Sequence, residues 1–233
     1  MRSTIVFFVI TLFLVCNLAI SGNELWEKKD YGKWTLRECK TMLEDSPWAK
    51  TYTIGSWGHY EYRVQLRSAL PIRMAIVRSM QIASNYDKLS SEERQKFDKG
   101  AAEYLSTSFP DRIVLHLIGG PNDDKVDGPV SLSIELLRYW QIKTTEQLRN
   151  MVFLIPANRS RIPLRQFNAS QGDKCEFQFI FPRQHQGLPA LGPEDKSVKL
   201  EFEYPTSPSY NSTERALIEF KTDKMLFKGK LEY

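Results

Sequence analysis

A chain of 233 residues, 42% hydrophobic and 26% charged, has an ordinary globular composition and is long enough for one domain with a full core. Its net charge of +4 is small, and Lys and Arg are interspersed with Asp and Glu. That distribution is not the clustered basic footprint of a nucleic-acid binder.

Residues 1–22 have the pattern of a secretory signal. Arg2 supplies the positive start, Ile5 to Val15 is an apolar run broken only by Thr11, and Ala19 to Gly22 offer small residues for cleavage near Ser21 or Gly22. The run is too short for a stable membrane span. Cys16 is not expected to carry lipid, because Phe13-Leu14-Val15 puts no small residue before it. The expectation is an exported protein, periplasmic or secreted, with residues 23–233 as a single domain. Membrane contact is expected only through the signal segment.

Asn23 to Trp34 reads as a polar, aromatic lead-in arm. Thr35 and Glu38 have capping-box spacing and predict a helix with Leu36, Cys39 and Leu43 on its apolar stripe, ended by Ser46-Pro47. Tyr60, Tyr62, Val64 and Leu66 alternate with Glu61, Arg63, Gln65 and Arg67, the period of a strand with one wet face. Gly55 and Gly58 around Trp57 suggest a turn or bulge before it. Pro71 fits the first turn of a second helix carrying Ile72, Ala75, Ile76, Met80 and Ala83. Ser90 and Glu93 cap a third helix, with Phe97, Ala101, Tyr104 and Leu105 as its stripe.

Ile113 to Ile118 is continuously apolar and predicts a central strand covered on both sides, stopped by Gly119-Gly120-Pro121. Asn122 to Gly128 is an acidic loop. Val130 to Trp140 fits both periods; the helical one is preferred, running on toward Thr144 and Gln147. Met151 to Ile155 predicts another strand, with Ile162 to Phe167 returning beside it. Cys175, Phe177, Phe179 and Phe181 share one face of the strand that opens a terminal sheet. A loop rich in Pro and Gly spans Pro182 to Lys196. Val198, Leu200, Phe202 and Tyr204 then alternate with Lys199, Glu201 and Glu203. Arg215 to Lys221 and Met225 to Tyr233 read as a closing hairpin around Thr222 to Lys224.

The chemistry-bearing residues are sparse. His59, His116 and His185 lack ligand spacing, and no Cys-x-x-Cys, phosphate loop or nucleophile elbow occurs. No metal and no cofactor is therefore expected. His116 lies inside an apolar strand and reads as a core histidine; His185 lies on the Pro-rich loop, where binding residues gather. Asp123, Asp124 and Asp127 read as a solvated acidic loop. Cys39 and Cys175 leave a disulfide and two separate buried thiols both open. Asn158, Asn168 and Asn211 begin glycosylation sequons.

Trp26, Trp34, Trp48 and Trp57 crowd the front of the chain. Core filling is the preferred account, because each indole buries a large area. If they lie exposed in a row, Trp48 and Trp57 become candidates for stacking on sugars. Trp48, Trp57 and His185 are thus the candidate binding residues; no catalytic residue is singled out.

Asp45-Ser46-Pro47-Trp48-Ala49-Lys50, Arg67 to Ala75, Phe181-Pro182-Arg183, Asp195-Lys196 and Phe220 to Glu232 together resemble a group of uncharacterised exported proteins from acidobacteria and similar bacteria. The resemblance implies an exported bacterial protein with a single conserved architecture, and no activity or site residue. The expected fold class is α+β: a mostly antiparallel sheet with two or three helices of the N-terminal half packed on one face. The expected function is a non-enzymatic envelope or secreted module that binds an envelope protein or a glycan. The alternative is a hydrolase acting on cell-wall or extracellular polymer.

Overall fold

Side chains that alternate in twos form strands here, and those recurring every three or four residues form helices. The computed structural model describes residues 25–54, 60–121, 130–169, 171–192, 194–206 and 212–233. The signal segment, Cys16, Trp57, His59, the acidic loop around Asp123 and the Asn211 sequon lie outside them.

In chain order the elements are α1 (Leu25–Lys28), α2 (Leu36–Glu44), β1 (Ala49–Thr53), β2 (Tyr60–Leu66), α3 (Leu70–Ala83), α4 (Ser91–Ser106) and β3 (Arg112–Pro121). Then come α5 (Val130–Gln141), α6 (Thr145–Leu148), β4 (Phe153–Pro156), β5 (Ile162–Pro163), β6 (Gln166–Ala169) and β7 (Glu176–Pro182). The chain closes with β8 (Gln184–His185), β9 (Leu188–Pro189), β10 (Val198–Pro205), β11 (Thr213–Phe220), β12 (Leu226–Phe227) and β13 (Lys230–Leu231). The fold is α+β, with antiparallel pairing throughout and its longer helices in the N-terminal half.

Apart from the small β8–β9 and β12–β13 hairpins, the strands divide between two sheets rather than joining one. The first runs β1-β2-β3-β7-β6 and the second β11-β10-β4-β5. The division follows from burial. Tyr60, Tyr62 and Val64 of β2, Leu115 and Leu117 of β3, and Phe177, Phe179 and Phe181 of β7 are all buried. Leu200, Phe202, Ala216, Ile218 and Leu154 of the second sheet are buried too. Two one-sided sheets hide both greasy faces by facing each other. Tyr62 marks the seam. Its ring centroid lies 6.0 Å from Phe177 in its own sheet and 5.5 Å and 6.0 Å from Phe202 and Tyr204 in the other.

On the outer side of the first sheet lies α2, backed by α3. The Gln65 side chain donates from β2 to the Leu43 carbonyl at 2.9 Å. The expected capping box is formed: Thr35 accepts from the Glu38 amide at 3.2 Å, and Glu38 accepts from the Thr35 amide at 2.6 Å. The Ser90–Glu93 box starts α4 in the same way, yet α4 buries none of its residues. Residues 130–141 are helical. That helix stops at Gln141, because Thr144 and Gln147 form a capping box of their own that begins α6. From α5, Trp140 wedges between the sheets, stacks on Phe177 at 4.2 Å and donates to the Tyr62 hydroxyl at 2.9 Å.

Three local expectations are corrected. Strand β3 does not stop at Gly119 but pairs with β2 as far as Pro121. Gly119 is there for close approach: a Cβ would sit 2.9 Å from the Cys175 sulfur and 3.1 Å from the Tyr62 ring. Strand β7 belongs to the first sheet, between β3 and β6, so Cys175 does not open a terminal sheet. The closing hairpin is not made with β11. A short helical turn at Thr222–Lys224 intervenes, and β12 pairs with β13 around Lys228 and Gly229, whose φ values of 51° and 72° suit a tight primed turn.

Candidate binding cleft

The Pro-rich loop after β7 folds into the small β8–β9 hairpin. His185 pairs with Leu188, Gln184 with Pro189, and Gln186 and Gly187 turn the corner with φ values of 52° and 79°. The Ala190 amide donates to the Arg183 carbonyl at 2.8 Å and closes the hairpin's base. Opposite stands the turn between β4 and β5, residues 157–161, tied down by the Ala157 amide donating to the Ser197 carbonyl at 3.0 Å. Between the two lies a cleft of about 420 Å³. Buried Ile162 lies on one side, Leu188 and Pro189 on another, and Asn158, Ser160, His185 and Gln186 supply polar edges.

Arg159 is the structural pin of this cleft. Its Nε stands 3.3 Å from an Asp195 oxygen, its Nη2 meets Glu194, and its Nη1 donates to the Pro189 carbonyl. The Asp195 side chain is wholly sealed and also accepts from the Gly192 amide at 2.8 Å. Thr222 donates its hydroxyl to the Asp195 carbonyl, so the far end of the chain fixes the same corner. Ser160 Oγ lies 3.4 Å from Gln186 Oε1 and bridges the two walls. With Arg159 taken up by two carboxylates, the lining offers hydroxyl, amide and imidazole groups.

The three candidate binding residues fare differently. His185 is half-buried at this cleft. Trp48 is buried, its indole donating to the Glu232 carbonyl at 2.7 Å, and so it has no face free for a sugar. Trp57 lies outside the described residues. Trp34 is buried as well, and half-buried Trp26 packs edge-on against Trp48 at 4.9 Å. Trp34 and Trp48 fill the interior, as the preferred account has it, each with an apolar body and a carbonyl for its N–H, and neither offers a face for a stacking row.

The other reactive side chains are placed away from this cleft. Cys39 and Cys175 are separate buried thiols, and burial pushes the Cys175 thiol up to about 12. That keeps it far from the reactive thiolate form. His116 sits on the outer side of the first sheet, in a polar row made by Gln65, His116, Gln178 and Asn168 across four strands. Among the described residues no group of three or more His, Cys, Asp or Glu could hold a metal ion. No described helix is long and apolar enough to cross a membrane.

Arg159, Ser160, Gln186 and Asp195 were not singled out from the sequence. Arg159 and Ser160 on one segment and Gln186 and Asp195 on another are 26 residues apart at their nearest and share no motif; the Pro-rich loop was the signal that pointed nearest to them. No known protein family, curated protein or solved structure matches the chain.

Proposed function

We propose that the chain is an exported, non-enzymatic binding module, and that its ligand is an uncharged saccharide of the cell envelope or its surroundings. The observation that carries this reading is the cleft between the 157–161 turn and the β8–β9 hairpin. Its volume falls within the range of about 300–1,000 Å³ common for small-ligand sites. Its one arginine is neutralised from within, so charge does not select the ligand. Ser160, His185, Gln186 and Asn158 can exchange hydrogen bonds with hydroxyls, while Ile162, Leu188 and Pro189 offer apolar surface to the faces of a sugar ring. Leu188 is 59% exposed, so its apolar surface is open to a ligand at the cleft edge.

The hydrolase alternative needs two carboxylates facing a shared cleft. The acids gathered here are Glu194 and Asp195. Both are turned onto Arg159, and Asp195 is sealed from solvent.

Binding of the exported chain to an array of envelope and matrix saccharides tests the proposal, with the variants Ser160→Ala and Gln186→Ala alongside. Each variant should weaken the retained sugar by about tenfold, the worth of one hydrogen bond in a ligand site. Binding unchanged in both, or no saccharide retained by the wild type, refutes the reading.

A further inference from the structure

A second cavity, of about 450 Å³, opens where the start of α3, the loop after α4 and the end of β7 converge. It is lined mainly by polar groups, among them Ser68, Arg73, Ser108, Arg183 and Glu232. Arg73 stands on the first turn of α3 and is only 5% exposed. Its Nη1 donates to the Thr107 carbonyl, and its guanidinium lies 5.1 Å from the Phe109 ring centre. The Arg73 Nε is buried and has no hydrogen-bond partner. Arg183 follows β7 directly. Its Nη1 donates to the Phe109 carbonyl at 3.1 Å, and its guanidinium lies 4.1 Å over the Tyr233 ring.

Both guanidiniums are thus held by one carbonyl and one aromatic face, which fixes their planes without satisfying their donors. Among the described residues no carboxylate forms an ion pair with either. Glu232 is the acid at this cavity. One of its oxygens accepts the Leu70 amide at 2.8 Å, standing in for the missing side-chain cap at the start of α3. The Glu232 carboxylate acts on Arg73 through its charge without pairing with it, so both guanidiniums keep donors for a further acceptor. A buried guanidinium with an unused N–H is costly unless an acceptor reaches it.

We propose that this cavity binds an organic anion through a carboxylate or phosphate group gripped between Arg73 and Arg183. Planar, forked donors suit both oxyanions, which take two parallel hydrogen bonds from one guanidinium. The size of the cavity leaves room for a body beyond the charged group, lying along Phe109 and Tyr233. This site is distinct from the cleft proposed for saccharide: among the described residues none lines both.

Thermal denaturation and calorimetric titration of the exported chain test it, with inorganic phosphate and benzoate as separate probes and chloride at matched ionic strength as the control. At least one probe should raise the melting temperature above the chloride control and bind in the millimolar range or tighter. Benzoate alone identifies a carboxylate ligand, and phosphate alone a phosphorylated one. Arg183→Gln, at a half-buried position, keeps the fold by circular dichroism and should weaken the probe by roughly tenfold to a hundredfold, the worth of a charge-assisted hydrogen bond. Stabilisation by neither probe beyond chloride overturns the proposal. So does binding of equal strength in folded Arg183→Gln. Either result leaves saccharide binding by Ser160 and Gln186 untouched.

Discussion

His116 shows how one side chain records its surroundings. Burial pulls its pKa down to about 4, the neighbouring Arg67 charge acts in the same direction, and Glu176 opposes both. Its Nε2 lies 3.3 Å from a Glu176 oxygen. The folded chain therefore holds this imidazole neutral, whereas an unfolded chain protonates it near 6.5. Below that pH the unfolded state binds the extra proton, so stability is complete above about 6.5 and is lost as pH falls toward 4. The loss attributable to His116 is on the order of 3 kcal/mol. Urea unfolding at pH 7 and at pH 4.5 checks this: His116→Gln should flatten the difference, and an unchanged slope would show that other groups set it. The strand position of His116 was legible from the sequence. Its polar row was not, because Gln178 and Asn168 reach it only through strand register.

At the scale of elements, two identical caps have different consequences. The Thr35–Glu38 box starts α2, which carries Cys39 and Met42 into the core. The Ser90–Glu93 box starts α4, which buries no residue. Losing a cap removes one satisfied donor, typically about 1 kcal/mol. Thr35→Ala should lower global stability by about that amount. Ser90→Ala should instead accelerate hydrogen exchange of the α4 amides and hardly move the urea midpoint, because α4 can open while the rest stays folded. Equal drops in the two midpoints would show α4 to be part of the cooperative core. Both caps were plain in the sequence, since a capping box is local. The reading of Met225 to Tyr233 as one arm of a closing hairpin with Arg215 to Lys221 misled for the opposite reason. Strand period says nothing about partner, and Lys228-Gly229 turns the segment back on itself before it can reach β11.

The whole molecule is organised by two one-sided sheets sharing an aromatic interior. The alternating residues of β2, β7 and β10 were readable in the sequence, and so was the α+β class. That they face one another across two sheets was not, because alternation marks a buried face without naming what covers it. The cleft was still less legible. Arg159 comes from the 157–161 turn and His185 and Asp195 from the Pro182–Lys196 loop, two segments joined only by how the two sheets place their connections. The same packing decides the fate of the tryptophans. A core that needs Trp48 and Trp140 inside leaves the lining of the cleft to loop residues.

Assigned aromatic cross-relaxation in solution tests this arrangement most directly, with Tyr62 as the reporter. Its ring protons should show contacts to Phe177 of the first sheet and, in the same spectrum, to Phe202 and Tyr204 of the second. Contacts to Phe177 without any to Phe202 or Tyr204 would contradict the two facing sheets.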